Sequence, residues 1–201
     1  MELFMSLKKL TDSAHQKAEQ SKWAQLLVSG NMTNRQYGQY LYNQLQAYSA
    51  LEARANELKL FIKYPVLKSI AQGNNFSADL HFFKYHIGLE KSTLDYMEYT
   101  QTLDEEEILA HIYVRHFGDM HGGQIIKSKL PKPNLEAFPP DSDGNTPVTE
   151  EWWTNIYTFE NKYEIIKEMR TMLTLDMADE ANVCFEYAIS LFHDLEKRFD
   201  L

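Results

Sequence analysis

Apolar side chains recur at three- and four-residue intervals along most of this chain, which is the period of an amphipathic α-helix. A first helix is predicted from about Ser6 to Val28 and a last one from Ala178 to Phe199. Between them, a Thr33–Gln36 capping box opens a helix to about Leu60. Its apolar stripe holds Tyr37, Tyr40, Leu41, Leu45, Tyr48, Leu51, Ala55 and Leu58. The pattern predicts an all-α fold.

Turn residues divide the rest of the chain. After Pro65 and a Gly-Asn-Asn turn at 73–75, Ser77 is predicted to cap a short helix ending near Ile87, and another helix is predicted over Lys91–Thr100. A proline-rich loop covers 131–147, and a helix is predicted from Thr149 onward, to about residue 170. Because helix follows this loop, it is not read as a domain boundary.

Composition narrows the class of protein. With 201 residues, 44% of them hydrophobic, the whole of 1–201 is predicted to be a single domain. A net charge of −9 argues against nucleic acid as a partner. No apolar run approaches the roughly 18 residues that a membrane span needs, and the N-terminal residues do not resemble a signal peptide. The one cysteine, Cys184, fits a reducing compartment and a buried structural role, so we expect a cytoplasmic protein.

The stretch 113–130 is the most unusual in the chain. The negative charges of 104–107 suit the first turn of a helix, but glycines then follow at 118, 122 and 123. Each glycine costs a helix about 1 kcal/mol against alanine. Gly118 and Gly122 are four residues apart, so they share one helix face and leave it without side chains. The alternatives are a flat ligand lying on this face, a close helix crossing, or a helix that ends at Gly118.

A second candidate group lies on the first helix. His15 and Glu19 are four residues apart, so the carboxylate can reach the imidazole Nδ1–H, an arrangement typical of metal-ligating histidines. Lys8 lies two turns earlier on the same side. A solvated surface ion pair is the other interpretation of the same spacing.

The glycine-bearing stretch closely resembles the distal helix of the heme oxygenases, through Tyr113, Arg115, Gly118, Asp119, Gly122, Gly123 and Gln124. The first helix resembles the proximal helix of the same family, through Leu7, Lys8, His15, Ala18 and Glu19. The resemblance covers nearly the whole chain and implies an all-α fold with heme between these two helices. Asp12 stands where a further basic residue is common, which leaves a second propionate contact from this helix in doubt.

The resemblance also implies roles for single residues. His15 would be the axial ligand of the heme iron, oriented by Glu19, and Lys8 would bind a propionate. Gly118, Gly122 and Gly123 would let the helix backbone approach the heme. Asp119 would hold a water chain that delivers protons, supported by Tyr48, Tyr113 and Arg115. Lys167 is the best match for a second propionate-binding residue, with Lys162 or Tyr163 near its partner, and Phe185 matches an aromatic residue against the heme edge.

A member of this family would use heme as both cofactor and substrate. The family reaction consumes dioxygen and electrons and gives biliverdin, carbon monoxide and ferrous iron. A ferredoxin or a flavin reductase would deliver the electrons, and Lys127 and Lys129 could receive an acidic donor. We expect a monomer or a weak dimer.

His121 departs from the family pattern, in which serine is common at this position. The interpretation that we favour is that His121 faces away from the heme. If it faces the pocket instead, it could bond to the waters of Asp119 or compete for the iron.

Other functions are also compatible with a helical scaffold. A non-catalytic heme-binding or heme-transfer protein would need His15 and the groove but not Asp119. A di-iron oxidase is disfavoured because the sequence contains no Glu-x-x-His. A thiamine-degrading relative would need a nucleophilic cysteine, and Cys184 lies on an apolar helix face.

Overall fold

The computed structural model describes residues 2–83, 87–133 and 153–201, and within these ranges all regular structure is helical. This confirms the predicted all-α fold. The α-helices of the described ranges are α1 (Glu2–Glu19), α2 (Lys22–Ser29), α3 (Asn34–Glu57), α4 (Leu60–Lys63), α5 (Gly73–Leu80), α6 (Lys91–Thr100), α7 (Glu105–Lys127), α8 (Lys162–Met169) and α9 (Ala178–Arg198). Short 3-10 turns cover Pro65–Ser69 and Asn155–Tyr157.

Local capping residues begin the two longest helices. At α3, Thr33 accepts a hydrogen bond from the Gln36 amide, and the Gln36 side chain accepts one from the Thr33 amide, which is the predicted capping box. At α7, Asp104 and Glu107 form the same reciprocal pair, at 3.0 and 2.7 Å. Each box satisfies amides that have no partner within the helix, so the starts of α3 and α7 are fixed locally.

The predicted first helix is divided in two. The first helix ends at Glu19, and Ser21 then caps α2 by accepting a hydrogen bond from the amide of Ala24 at 3.1 Å. Serine favours this position because its hydroxyl satisfies a free amide at the start of a helix. The apolar pattern continues across the break, so periodicity alone did not reveal it.

Two other segments differ from the prediction because of distant carboxylates. The fifth helix begins at Gly73 rather than at Ser77, since Glu52 on α3 accepts hydrogen bonds from the amides of Gln72 and Gly73. The chain around Asn155 forms a 3-10 turn rather than a helix, since Asp79 accepts hydrogen bonds from the amides of Asn155 and Ile156. The predicted loop at 134–147 and the predicted helix start at Thr149 lie outside the described residues.

The last helix, α9, supports the two helices that carry the candidate residues. Both α1 and α7 pack against α9, whereas α1 and α7, each with its backbone described throughout, do not pack closely on each other. Fully buried Ala181 and Cys184 lie on the inner side of α9. The Cys184 thiol lies 4.0 Å from the carbonyl oxygen of His111 on α7, in agreement with the structural role predicted for this cysteine. A space therefore remains between α1 and α7.

Within the described ranges, no helix is both long enough and apolar enough to cross a membrane.

Candidate active site

An open groove of about 340 Å³ lies between α1 and α7. One side is formed by residues of α1, the other by residues of α7, and Phe185 of α9 contributes to the lining as well. The lining consists of Lys8, Thr11, Asp12, His15, Glu19, Tyr113, Val114, Phe117, Gly118, His121, Gly122 and Phe185. Seven of the twelve lining residues have polar side chains, and five of these seven belong to α1, whereas the rest of the lining is apolar or glycine.

His15 is the imidazole that α1 presents to the groove. Its Nδ1 lies 3.7 Å from Glu19 Oε2, and its ring meets the ring of Phe185 edge to face, with centroids 5.7 Å apart. The His15 side chain is 50% exposed because the groove is open. With Nδ1 directed at a carboxylate, Nε2 is the nitrogen left to coordinate a metal.

The face of α7 that carries Gly118 and Gly122 lies across the groove from His15. The helix continues through all three glycines to Lys127, so it does not end at Gly118. A Cβ added at Gly118 or Gly122 would meet no heavy atom within 4 Å, which excludes a close helix crossing at this face. The two positions instead border open space in the groove. The helix end at Gly118 and the close helix crossing are therefore both wrong, and the structure leaves room on this backbone for a ligand.

Asp119 lies beside the groove and is held by α3. Tyr48, a buried residue of α3, donates a hydrogen bond from its hydroxyl to Asp119 Oδ2 at 2.7 Å. Burial raises the pKa of Asp119 to about 6, although the bond from Tyr48 and the nearby His116 and Arg115 oppose this rise. A carboxyl group with a pKa in this range can both accept and release a proton near neutral pH.

A buried polar network lies behind Asp119. Arg115 donates from Nε to the Tyr96 hydroxyl at 3.0 Å and from a terminal nitrogen to Gln44 Oε1 at 3.1 Å. Its guanidinium also lies over the rings of Tyr96 and Tyr48, at 4.1 and 5.5 Å from their centroids. The fixed positive charge of Arg115 is thereby held next to Tyr48, the residue that bonds to Asp119.

Comparison with known proteins identifies the family. The family model described as heme oxygenase matches residues 1–194. The chain belongs to the heme oxygenase family. This family places it among the heme-degrading enzymes.

Individual heme oxygenases match over most of the chain. It is 25% identical to the heme oxygenase of Guillardia theta, over 98% of this chain and 87% of that protein. It is 24% identical to heme oxygenase 2 of Macaca fascicularis, over 95% of this chain but only 64% of that longer protein.

Solved heme oxygenase structures share the fold. That of Leptospira interrogans aligns with a TM-score of 0.75 at 22% identity, over 96% of this chain and 98% of that one. Heme oxygenase-1 from Synechocystis, solved in complex with heme, aligns with a TM-score of 0.73 at 20% identity, over 96% and 92%.

Most residues that the resemblance assigned to this heme oxygenase site meet at the groove or just behind it. Lys8, His15, Glu19, Tyr113, Gly118, Gly122 and Phe185 all contribute to the lining. Asp119, Tyr48 and Arg115 lie behind it and not among the lining residues. The sequence predicts one metal ligand in the groove, the imidazole of His15. The described residues contain no cluster of three or more side chains that could hold a metal ion.

Two of the assigned residues, Gly123 and Lys167, do not contribute to the lining of this groove. Gly123 faces Tyr157, whose Cδ1 would be only 2.4 Å from an added Cβ, so this glycine serves packing against a buried ring. Lys167 is 72% exposed and lies 3.9 Å from Glu164, because the buried face of α8 is formed by Ile165 and Met169.

The neighbouring candidates on α8 also lie outside the lining. Lys162 donates a hydrogen bond to the Met120 carbonyl, and Tyr163 is exposed.

His121 faces the groove, which corrects the favoured expectation that it faces away. Its Nδ1 lies 2.8 Å from the carbonyl oxygen of Phe117, and the two rings are stacked with centroids 5.8 Å apart. A backbone carbonyl can only accept, so Nδ1 carries the hydrogen and Nε2 is free to accept a hydrogen bond or bind a metal.

Several residues at or behind the groove have no role assigned from the sequence. Thr11 and Asp12 lie four and three residues before His15, so helical spacing alone could have placed them on its face. Tyr96 and Gln44 come from α6 and α3 and reach Arg115 only through the tertiary fold. No local sequence signal marks these two residues.

Proposed function

We propose that this chain cleaves heme oxidatively to biliverdin, carbon monoxide and ferrous iron, using dioxygen and electrons from a ferredoxin or a flavin reductase. The observation that carries the proposal is the groove itself, with the imidazole of His15 on one side and the uncovered backbone of Gly118 and Gly122 on the other. A flat macrocycle with a central metal has the shape and the ligand requirement that this groove matches.

The lining residues fit heme in several respects. His15 would bind the iron, and Glu19 would orient its ring and increase the basicity of Nε2. Lys8 would pair with a propionate at the open edge, where both charges stay partly hydrated. Phe185 would pack against the edge of the macrocycle. The uncovered glycines provide room for a ring that a side chain would otherwise exclude.

Bound heme supplies the iron at which dioxygen is reduced and the ring carbon that is oxidised. The protein residues position the groups and transfer protons. Asp119 would hold a chain of water molecules and exchange protons with it, which its raised pKa of about 6 permits. Tyr48 fixes the orientation of Asp119 through its hydrogen bond, and Arg115 adds a permanent positive charge behind both.

An absorption experiment tests the reaction. Hemin is added to the protein, followed by a reductant in air. We expect the Soret band to disappear while a broad red absorption of an open tetrapyrrole grows, and carbon monoxide to be released. A Soret band that persists through many equivalents of reductant would contradict the proposed activity.

The same assay separates the enzyme from a heme carrier. A carrier needs His15 and the groove but has no use for a carboxyl group with a raised pKa beside it. Replacing Asp119 by alanine should therefore leave hemin binding intact and abolish most product formation. Product formation at the wild-type rate in this variant would remove Asp119 from the mechanism. Hemin binding without product in the wild-type protein would support the carrier.

A further inference from the structure

The groove is lined by two imidazoles, those of His15 and His121, and each has an oxygen atom near its Nδ1. His15 and His121 belong to opposite sides of the groove, on α1 and α7. Nδ1 of His15 is directed at the carboxylate of Glu19, and Nδ1 of His121 at the carbonyl of Phe117. A carboxylate or a backbone carbonyl on the second ring nitrogen is the usual partner of a metal-ligating histidine, because it fixes the tautomer.

The local structure of α7 holds this imidazole in place. The hydrogen bond to Phe117, one helical turn earlier, restrains the ring along the helix, and stacking on the Phe117 ring restrains it further. Gly118, one turn before His121, and Gly122, the next residue, also line the groove and contribute no side chain that could shield Nε2 from it. The Nε2 lone pair is therefore available to a ligand that lies against the bare face.

We propose that His121 is a second axial ligand, which binds the iron of ferric heme opposite His15 in the resting protein. The inference rests on the proposed function, since it needs heme in the groove. The sixth coordination position must then be vacated before dioxygen can bind, and only Nε2 of His121 has to leave.

The test compares spectra of the hemin complex before any reductant is added. The wild-type complex should show the low-spin absorption and electron paramagnetic resonance signals of iron with two imidazole ligands. His121→Ala should lose the low-spin signals and become high-spin while retaining hemin. His193→Ala, which removes an exposed histidine of α9 outside the groove, is the matched control and should keep the wild-type spectrum.

Azide binding to the ferric complexes gives a second measurement. If His121 occupies the sixth position in about nine-tenths of the molecules, removing it should increase the apparent azide affinity about tenfold. A third variant, His15→Ala, should still bind hemin through one imidazole, and the double variant His15→Ala with His121→Ala should show no imidazole ligation.

The outcomes separate this inference from the proposed function. A wild-type hemin complex that is high-spin, with a spectrum and an azide affinity unchanged in His121→Ala, would overturn the second ligand while leaving heme degradation in place. If the wild-type protein failed to bind hemin at all, both proposals would be overturned.

Discussion

The hydroxyl of Tyr48 donates a 2.7 Å hydrogen bond to Asp119 Oδ2, linking α3 to the glycine-bearing helix α7. This bond stabilises the ionised carboxylate and so lowers the pKa of Asp119, against the larger effect of burial, which raises it to about 6. The proton affinity of the group proposed to deliver protons is thus set by a residue of another helix.

Replacing Tyr48 by phenylalanine should raise the pKa of Asp119 further. A hydrogen bond to a charged group contributes about 1.5–3 kcal/mol, and one pKa unit corresponds to about 1.4 kcal/mol, so the expected rise is about one to two units. The pH dependence of the heme degradation rate should have an inflection near pH 6 in the wild-type protein and about one to two units higher in Tyr48→Phe.

Two controls accompany this measurement. Tyr163→Phe changes an exposed tyrosine and should leave the inflection where it is. Asp119→Asn should remove the inflection. An inflection that survives in Asp119→Asn would assign it to a different group.

Replacing Gly118 or Gly122 by alanine should stabilise the protein without heme but weaken its binding of hemin. An added Cβ meets no atom within 4 Å, and alanine favours the helix by about 1 kcal/mol, so the unfolding temperature without heme should rise. The same methyl group takes up space proposed for heme, so hemin should bind at least about tenfold more weakly, a loss of about 1.4 kcal/mol. Thermal unfolding and hemin titration measure the two effects. Equal hemin affinity would mean that the ligand does not approach this backbone.

Replacing Gly123 by alanine should destabilise the protein even without heme. The added Cβ would lie 2.4 Å from Cδ1 of Tyr157, whose side chain is buried. Such overpacking typically costs about 1–3 kcal/mol. Chemical denaturation checks the result, with Gly122→Ala as the control one position away. A Gly123→Ala variant as stable as the wild-type protein would show that Tyr157 shifts without cost.

Replacing Glu19 by glutamine should weaken hemin binding. Loss of the carboxylate that faces Nδ1 of His15 lowers the basicity of the ligand, and the loss of such partners typically reduces metal affinity by about 10- to 100-fold. We expect the lower end of this range because the Glu19 side chain is 66% exposed. Glu186→Gln, an exposed carboxylate on α9 outside the groove lining, is the control. Identical hemin titrations for the two variants would contradict a role for Glu19.

The parts of the fold that depend on local chemistry could be predicted from the sequence. The capping boxes at Thr33 and Asp104 use partners three residues away, so their effect can be read from the chain. The start of α5 and the turn at Asn155 could not be predicted, because Glu52 and Asp79 supply their hydrogen bonds from distant positions. A helical pattern gives the period of a segment but not the distant carboxylate that fixes where a helix begins or holds a turn in its place.

The residues of the candidate site likewise include some that could be predicted from the sequence and some that could not. His15 with Glu19, and Gly118 with Gly122, follow from four-residue spacing together with the family resemblance. The direction of His121 depends on how α7 is rotated in the fold, and the placement of Lys167 depends on which face of α8 is buried. The spacing of residues along each helix does not specify how α7 and α8 are rotated about their axes in the fold.

Adjacent residues of α9 contact the two helices that border the groove: Cys184 lies against His111 of α7, and Phe185 meets His15 of α1. Since α1 and α7 are not packed closely on each other, the gap between them is governed by the shared support. Both helices that border the groove therefore rest on one element, so a substitution that displaces α9 would change the separation of α1 and α7 and with it the width of the groove.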